Sequence, residues 1–240
     1  MIMWGNIFKL VLILGIPFSL LLGLYLYNLK LTCDGWKAFA TKAGLTYMKK
    51  KNIVAGSYMG HGVDLSIYYP SRSNFTNDPL YTPHGRSHYQ TCTKLSVHFN
   101  IPYAGTIKLR TRRNILLQAS RLIQPEIRLG DPAFDQNFYL TSNDPNLPHY
   151  AFPPTARPRF QRLKYWEFTW TLGKGNAVLM GRIKDPVVLM EALWALHEVT
   201  MAIEGAMMQT QQQMVQTQMA QQQFQKYPVP NQPIANDPSL

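Results

Sequence analysis

Charge is scarce in this sequence. Asp, Glu, Lys and Arg make up 15% of its 240 residues, against roughly 25% in an ordinary soluble domain. Acidic residues are scarcer still, 13 against 24 Lys and Arg, for a net charge of +11. That balance favours an anionic neighbour: a lipid headgroup surface, an acidic protein or a nucleic acid. The two cysteines, Cys33 and Cys92, can close one disulfide at most and form no CxxC pair, which excludes a disulfide scaffold. GxSxG, GxxxxGK[ST], CxxCH and GxGxxG are missing, and with them the usual signatures of a hydrolase elbow, a phosphate loop, a haem attachment and a dinucleotide fold. His197-Glu198 begins like a zinc-protease helix, but Met201 stands where the second histidine belongs. A hydrophobic content of 46% supports one domain of roughly 150–200 residues with appendages.

One long uncharged run is present. Leu10 to Tyr27 reads LVLILGIPFSLLLGLYLY. With Ile7 and Phe8 included and Lys9 snorkelling, it approaches the ~20 residues that span a bilayer as helix. Trp4, Tyr25 and Tyr27 sit where interfacial aromatics belong. A cleaved signal peptide would need small residues before its cleavage site, and the YNLKLTC that follows offers none. A lipoprotein ending at Cys33 would want a small residue at Thr32 and no Lys30. Residues 1–30 therefore read as a single transmembrane anchor. Lys30, Lys37, Lys42, Lys49, Lys50 and Lys51 crowd its downstream flank, opposed by Asp34 alone, so the positive-inside rule places the remainder in the cytoplasm.

Residues 31–208 read as an α+β domain with a mixed or antiparallel sheet. A short helix with Trp36, Phe39, Ala40 and Ala43 on one face ends at Gly44. Strands are expected at 45–48, in a hairpin over 54–69, at 94–101, 106–110 and 113–118, and at 126–129 and 138–141 flanking a GDPAFDQ turn. The segment 70–90 reads as a surface loop, and its Asn74-Phe75-Thr76 glycosylation pattern carries no weight in a cytoplasmic setting. Prolines across 143–160 predict an extended loop that is neither helix nor central strand, held through Tyr150, Phe152 and Phe160. The clearest hairpin runs over 163–183 with a GKGN turn, and Trp166, Phe168, Trp170 and Leu172 face its core side. Asp185 caps a helix with Pro186 as its first residue, and nothing stops that helix before about 226. Leu189, Leu193, Leu196, Ile203, Met207 and Met214 form a heptad-like seam along it. From 209 to 240 the chain is Gln- and Met-rich and then proline-containing. This stretch predicts a helix completed by a partner groove for Met214, Met219 and Phe224.

Chemistry-bearing residues are few. His84 and His88, with His61 or His149, would make a zinc site only if three or four ligands converged, and Pro83 and Gly85 interrupt the helix their spacing needs. His197 reads as a packed or interfacial histidine. Asp131 and Asp135 read as acceptors for turn amides beside Gly130, with Phe134 and Phe138 anchoring the turn. Two basic clusters stand out: Lys108, Arg110, Arg112, Arg113 and Arg121, then Arg157, Arg159, Arg162 and Lys164. Alternation places 108, 110 and 112 on one strand face. Behind a membrane anchor, the expected partner of that face is anionic lipid or an acidic protein surface rather than nucleic acid.

WKAFATKAGLTY (36–47), GSYMGHGVDLSI (56–67), IRLGDPAFDQNFYLTSNDP (127–145) and the last hairpin followed by DPVVLMEAL (185–193) resemble, in this order, a family of bacterial membrane-anchored α+β proteins without assigned chemistry. The resemblance covers roughly residues 34–205 and implies a mixed sheet with helices tethered beside an inner or intracytoplasmic membrane. The loops at 70–90 and 143–160 and the Gln-rich extension depart from it. The expected function is a non-enzymatic accessory or scaffold subunit of a multisubunit membrane complex, respiratory or photosynthetic in type. It has no catalytic, cofactor or metal residues. The alternative is a membrane-tethered hydrolase or metal-dependent enzyme using the histidines and aspartates above.

Overall fold

The computed structural model describes residues 2–69, 91–112, 125–163, 165–171 and 173–226, with side chains described from 15 to 222. The first element, α1, is one uninterrupted helix over Ile2–Ala43. The anchor and the short helix expected after it are therefore a single rod, since the YNLKLTCDG between them holds no proline to end a helix. Gly44, at φ +69°, closes it as expected. By length and composition α1 could cross a membrane.

Eight strands follow among the described residues: β1 (Thr46–Met48), β2 (Ile53–Tyr58), β3 (His61–Tyr68), β4 (Cys92–His98), β5 (Thr106–Thr111), β6 (Phe138–Ser142), β7 (Glu167–Thr171) and β8 (Lys174–Met180). They form one antiparallel sheet in the order β1-β2-β3-β4-β8-β7-β5-β6. Register lines Val54, Leu65, Leu95, Ala177, Phe168, Leu109 and Leu140 straight across it, all buried. The next parallel line through Val63, Val97, Gly175, Trp170 and Ile107 supplies the rest of the inner face. Gly175 is required there, because a β-carbon would collide with the Trp170 indole. Between these lines, Asp64, Ser96, Asn176, Thr169 and Lys108 point to the opposite, polar face.

The helices α2 (Pro132–Asn137), α3 (Leu147–Ala151), α4 (Arg157–Arg162) and α5 (Pro186–Lys226) complete the described fold. Where an irregular turn was expected, α2 is a helical turn. Asp131 accepts from the Ala133 and Phe134 amides, and Asp135 accepts from those of Leu129 and Gly130. The extended loop expected over 143–160 is instead α3 and α4. Pro148 and Pro158 each lie in a first helical turn, where the missing amide hydrogen costs nothing. Phe152 and Phe160 are fully buried beside Phe134 and Trp170, while Tyr150 points outward. Residues 126–129 are not a strand, although the Ile127 amide donates to the Leu140 carbonyl. In the last hairpin, α4 runs to Arg162 with Leu163 as its C-terminal cap, and β7 begins at Glu167. Its turn is tighter than GKGN, because Thr171 already pairs with Lys174 and Gly173 sits at φ +80°. The expected strand over 113–118, the loop at 70–90 and Leu172 lie outside the described residues.

Helix α5 opens as expected, with Asp185 accepting from the Val187 amide. It crosses the inner face from one rim of strand ends to the other. At the near rim, where β3 ends and β4 begins, Thr93 Oγ1 donates to the Gly181 carbonyl and accepts from the Ile183 amide, and Trp36 of α1 donates to the Ile183 carbonyl. Gly35 lets α1 touch the Lys184 carbonyl, where a β-carbon would clash. At the far rim, where β3 begins and β4 ends, Glu204 of α5 binds His61 and the Asn100 amide. Leu189, Leu193, Leu196 and Ile203 are fully buried between those points. The apolar parts of α1 and the last turns of α5 thus leave the sheet from opposite rims.

Candidate functional site

A cluster of titratable side chains, His61, His197 and Glu204, lies where α5 passes the far rim. Glu204 Oε2 meets His61 Nε2 at 2.9 Å, while its Oε1 accepts the Asn100 and Ile101 amides at 2.5 and 3.4 Å. The His197 ring stands edge-on to His61, 4.9 Å away. Burial first, and then the neighbouring His61, pull the His197 pKa below its ordinary value. Neither His61 Nδ1 nor His197 Nε2 has a hydrogen-bond partner among the described residues. A cleft of about 280 Å³ opens beside them, lined by Tyr58, Met59, Arg159, Trp194, His197 and Glu198. Four of its wall residues engage one another: Trp194 Nε1 donates to Tyr58 Oη at 2.7 Å, Arg159 lies over the Trp194 ring and Arg159 pairs with Glu198 at 3.3 Å. Within this cluster one carboxylate closes two loops onto a helix.

Of the four histidines that a zinc site would draw on, only His61 and His149 fall among the described residues. His61 is spent on Glu204, His149 is exposed on α3, and His84 and His88 lie outside the described residues. No group of three potential metal ligands occurs among the described residues. Asp131 and Asp135, the aspartates of the enzyme alternative, are both spent on backbone amides.

The basic strand face is also smaller than the alternation implied. Lys108 and Arg110 do point to the outer side of β5. Arg112 instead turns into the α2 region, where its Nε donates to the Asp135 carbonyl at 2.7 Å and its guanidinium pairs with Glu126. It lines a second cleft of about 530 Å³ with Arg128, Gly130, Pro132, Asp135 and Gln136. Arg113 and Arg121 lie outside the described residues. In the other cluster, Arg157, Arg159 and Arg162 are paired with Asp131, Glu198 and Glu191, so it is internally neutralised; Lys164 is outside the described residues.

Past the far rim, α5 continues for about 30 Å at 1.5 Å per residue, and the side chains from Met208 to Gln222 are exposed. A single groove for Met214, Met219 and Phe224 does not fit this geometry. Residues five apart on a helix point about 140° away from each other. Met214 prolongs the core-facing stripe of Leu189, Leu196 and Ile203, whereas Met219 is on the other side; the Phe224 side chain lies outside the described residues. On the outward face a different pattern appears. Val187, Trp194, Met201, Met208 and Val215 follow at intervals of seven, and each is between 40% and 54% exposed. The sequence held that signal, but the buried stripe, richer in leucine, masks it until the core side of α5 is known.

An α+β chain with one antiparallel sheet, a long apolar N-terminal helix and a long C-terminal helix is what these features define. No family model and no curated protein sequence matches the chain. Among solved structures, the crystal structure of the mycobacterial trehalose monomycolate transport factor A, TtfA, aligns with 72% of this chain and 94% of its own, at 13% identity and a TM-score of 0.45. A likeness at that level transfers neither mechanism nor partner.

Proposed function

We propose that this chain belongs with the membrane-anchored α+β proteins it resembles and acts as a non-enzymatic accessory or scaffold subunit of a bacterial membrane assembly, held in the bilayer by α1 with its domain on the cytoplasmic side. The observation that carries this reading is the placement of two helical arms on opposite rims of one sheet. One arm is apolar and exposed from Ile16 to Tyr27, and the other exposes Met208, Met214, Val215 and Met219. The outward residues Val187, Trp194, Met201, Met208 and Val215 recur every seventh position along α5 until Gln222 ends the series, a spacing that suits a partner that is itself a helix. Residues 206–225 contain no charged side chain, so that partner surface is neutral and apolar, and methionine adapts to its contours.

Truncation after Gln209 tests the reading. The melting temperature of the domain is expected to stay within about 2 °C, since the removed side chains that are described, those of residues 210–222, are exposed, while co-purification of partner subunits from solubilised membranes falls. Retention of every partner by the truncated chain, or its recovery in the soluble fraction with α1 intact, overturns it.

A further inference from the structure

The near rim, from which α1 emerges, is ringed by positive charge that sequence order disperses. On one side lies the turn between β1 and β2, Lys49-Lys50-Lys51, all exposed. The pairing of Met48 with Ile53, and of Val54 with Leu65, sets this turn at the rim where β3 ends. It lies close to the helix, since α1 packs against both β1 and β2, and Tyr47 of β1 donates through its hydroxyl to Asn52 Oδ1 at 3.2 Å. On the other side is the link from β8 to α5, with Arg182 and Lys184, and the Lys184 ammonium donates to Asn28 of α1. Lys30 is exposed on α1 itself, between the two.

Six cations thus flank the helix where it leaves this rim, against Asp34, Asp185 and, at the start of β7, Glu167, and Asp185 is engaged as the α5 cap. Among the described residues, none of the six takes part in an ion pair. Elsewhere on the domain Arg112, Arg157, Arg159 and Arg162 are paired internally, and the lysines that make no ion pair among the described residues, such as Lys94, Lys108 and Lys174, do not gather where the apolar helix leaves the fold. Unpaired like charges held close together repel each other and persist at a surface that meets a polyanion. Immediately beyond them, toward the amino end, α1 is apolar and exposed.

We infer that the near rim is a docking surface for anionic lipid headgroups, with Lys30, Lys49, Lys50, Lys51, Arg182 and Lys184 seating the domain on the membrane that α1 enters. The inference rests on the anchor reading above and adds a lipid class to it. The basic contact expected at Lys108 and Arg110 is thereby replaced by one at the helix exit. Cations here act within a Debye length of the headgroups, whereas Lys108 lies on the outer face of the sheet.

The test uses the full chain in nanodiscs of phosphatidylcholine alone or mixed with phosphatidylglycerol. Lysines are acetylated with a neutral reagent and read by mass spectrometry. Lys30, Lys49, Lys50, Lys51 and Lys184 are expected to react about threefold or more slowly in the anionic discs, with the difference lost near about 0.5 M NaCl. Lys174, at the far rim, is expected to react equally in both. Replacing Lys49, Lys50 and Lys51 together by glutamate should release Lys30 and Lys184 from protection at an unchanged melting temperature. Equal labelling of the near-rim lysines in the two discs, in a chain that has inserted, overturns the lipid contact and leaves the anchor standing. A chain that enters neither disc overturns both.

Discussion

Glu204 on α5 and His61 at the start of β3 meet at 2.9 Å across 143 residues of sequence, where the helix passes the end of the sheet. The carboxylate is buried and its second oxygen also serves the Asn100 amide. Three chain segments therefore depend on one side chain.

Removing it leaves the histidine and the Asn100 amide without their acceptor. Glu204→Ala is expected to cost about 2 kcal/mol of unfolding free energy, as for buried hydrogen-bonding groups left without their acceptor. Glu204→Gln, which keeps an acceptor for Asn100, should cost less. Urea denaturation measures both, and a loss below about 1 kcal/mol for the alanine variant would show that the far rim holds without this contact.

His197 gives the fold a pH dependence with a definite sign. Its proton affinity in the folded state is depressed by burial and by His61, so the unfolded chain binds a proton first as pH falls below about 6.5. Stability should decline through that range and level off once folded His197 is protonated as well. Urea midpoints taken between about pH 7 and 5.5 should fall for the native chain and stay flatter for His197→Gln. Parallel curves would remove His197 from the account.

Arg112 and Lys108 separate structural from surface charge. Arg112→Gln abandons Glu126 and the Asp135 carbonyl and is expected to destabilise by about 1.5 kcal/mol. Lys108→Gln, on the polar face, should stay within about 0.5 kcal/mol. Equal effects would mean that the clasp around α2 contributes nothing to the fold.

Much of this architecture was legible because local signals agreed with the tertiary outcome. The Asp185-Pro186 cap, the alternation through Trp166, Phe168 and Trp170, and Gly130 with its two aspartates each specify their element without help from distant residues. The segment 143–160 misled because proline was read as a bar to helix, when Pro148 and Pro158 fall in first turns where it is tolerated. Arg112 was misplaced for a different reason. Strand alternation fixes a side chain's face only while the strand lasts, and β5 ends at Thr111. The meeting of His61 with Glu204 had no local signal at all, since neither residue's neighbours encode a contact so distant in sequence.

The continuity of α1 has a mechanical consequence. Trp36 and Phe39, at the centre of the core, sit on the same helix as the apolar segment, and Gly35 against the Lys184 carbonyl clamps that helix to the start of α5. With α1 embedded, the domain has no swivel: it stands over the bilayer like a gauge on a fixed post. The tip of α5 is then carried at a set height, at most about 60 Å from its base for a 41-residue helix. A partner helix would be selected as much by the altitude at which it presents its seam as by the residues that line it.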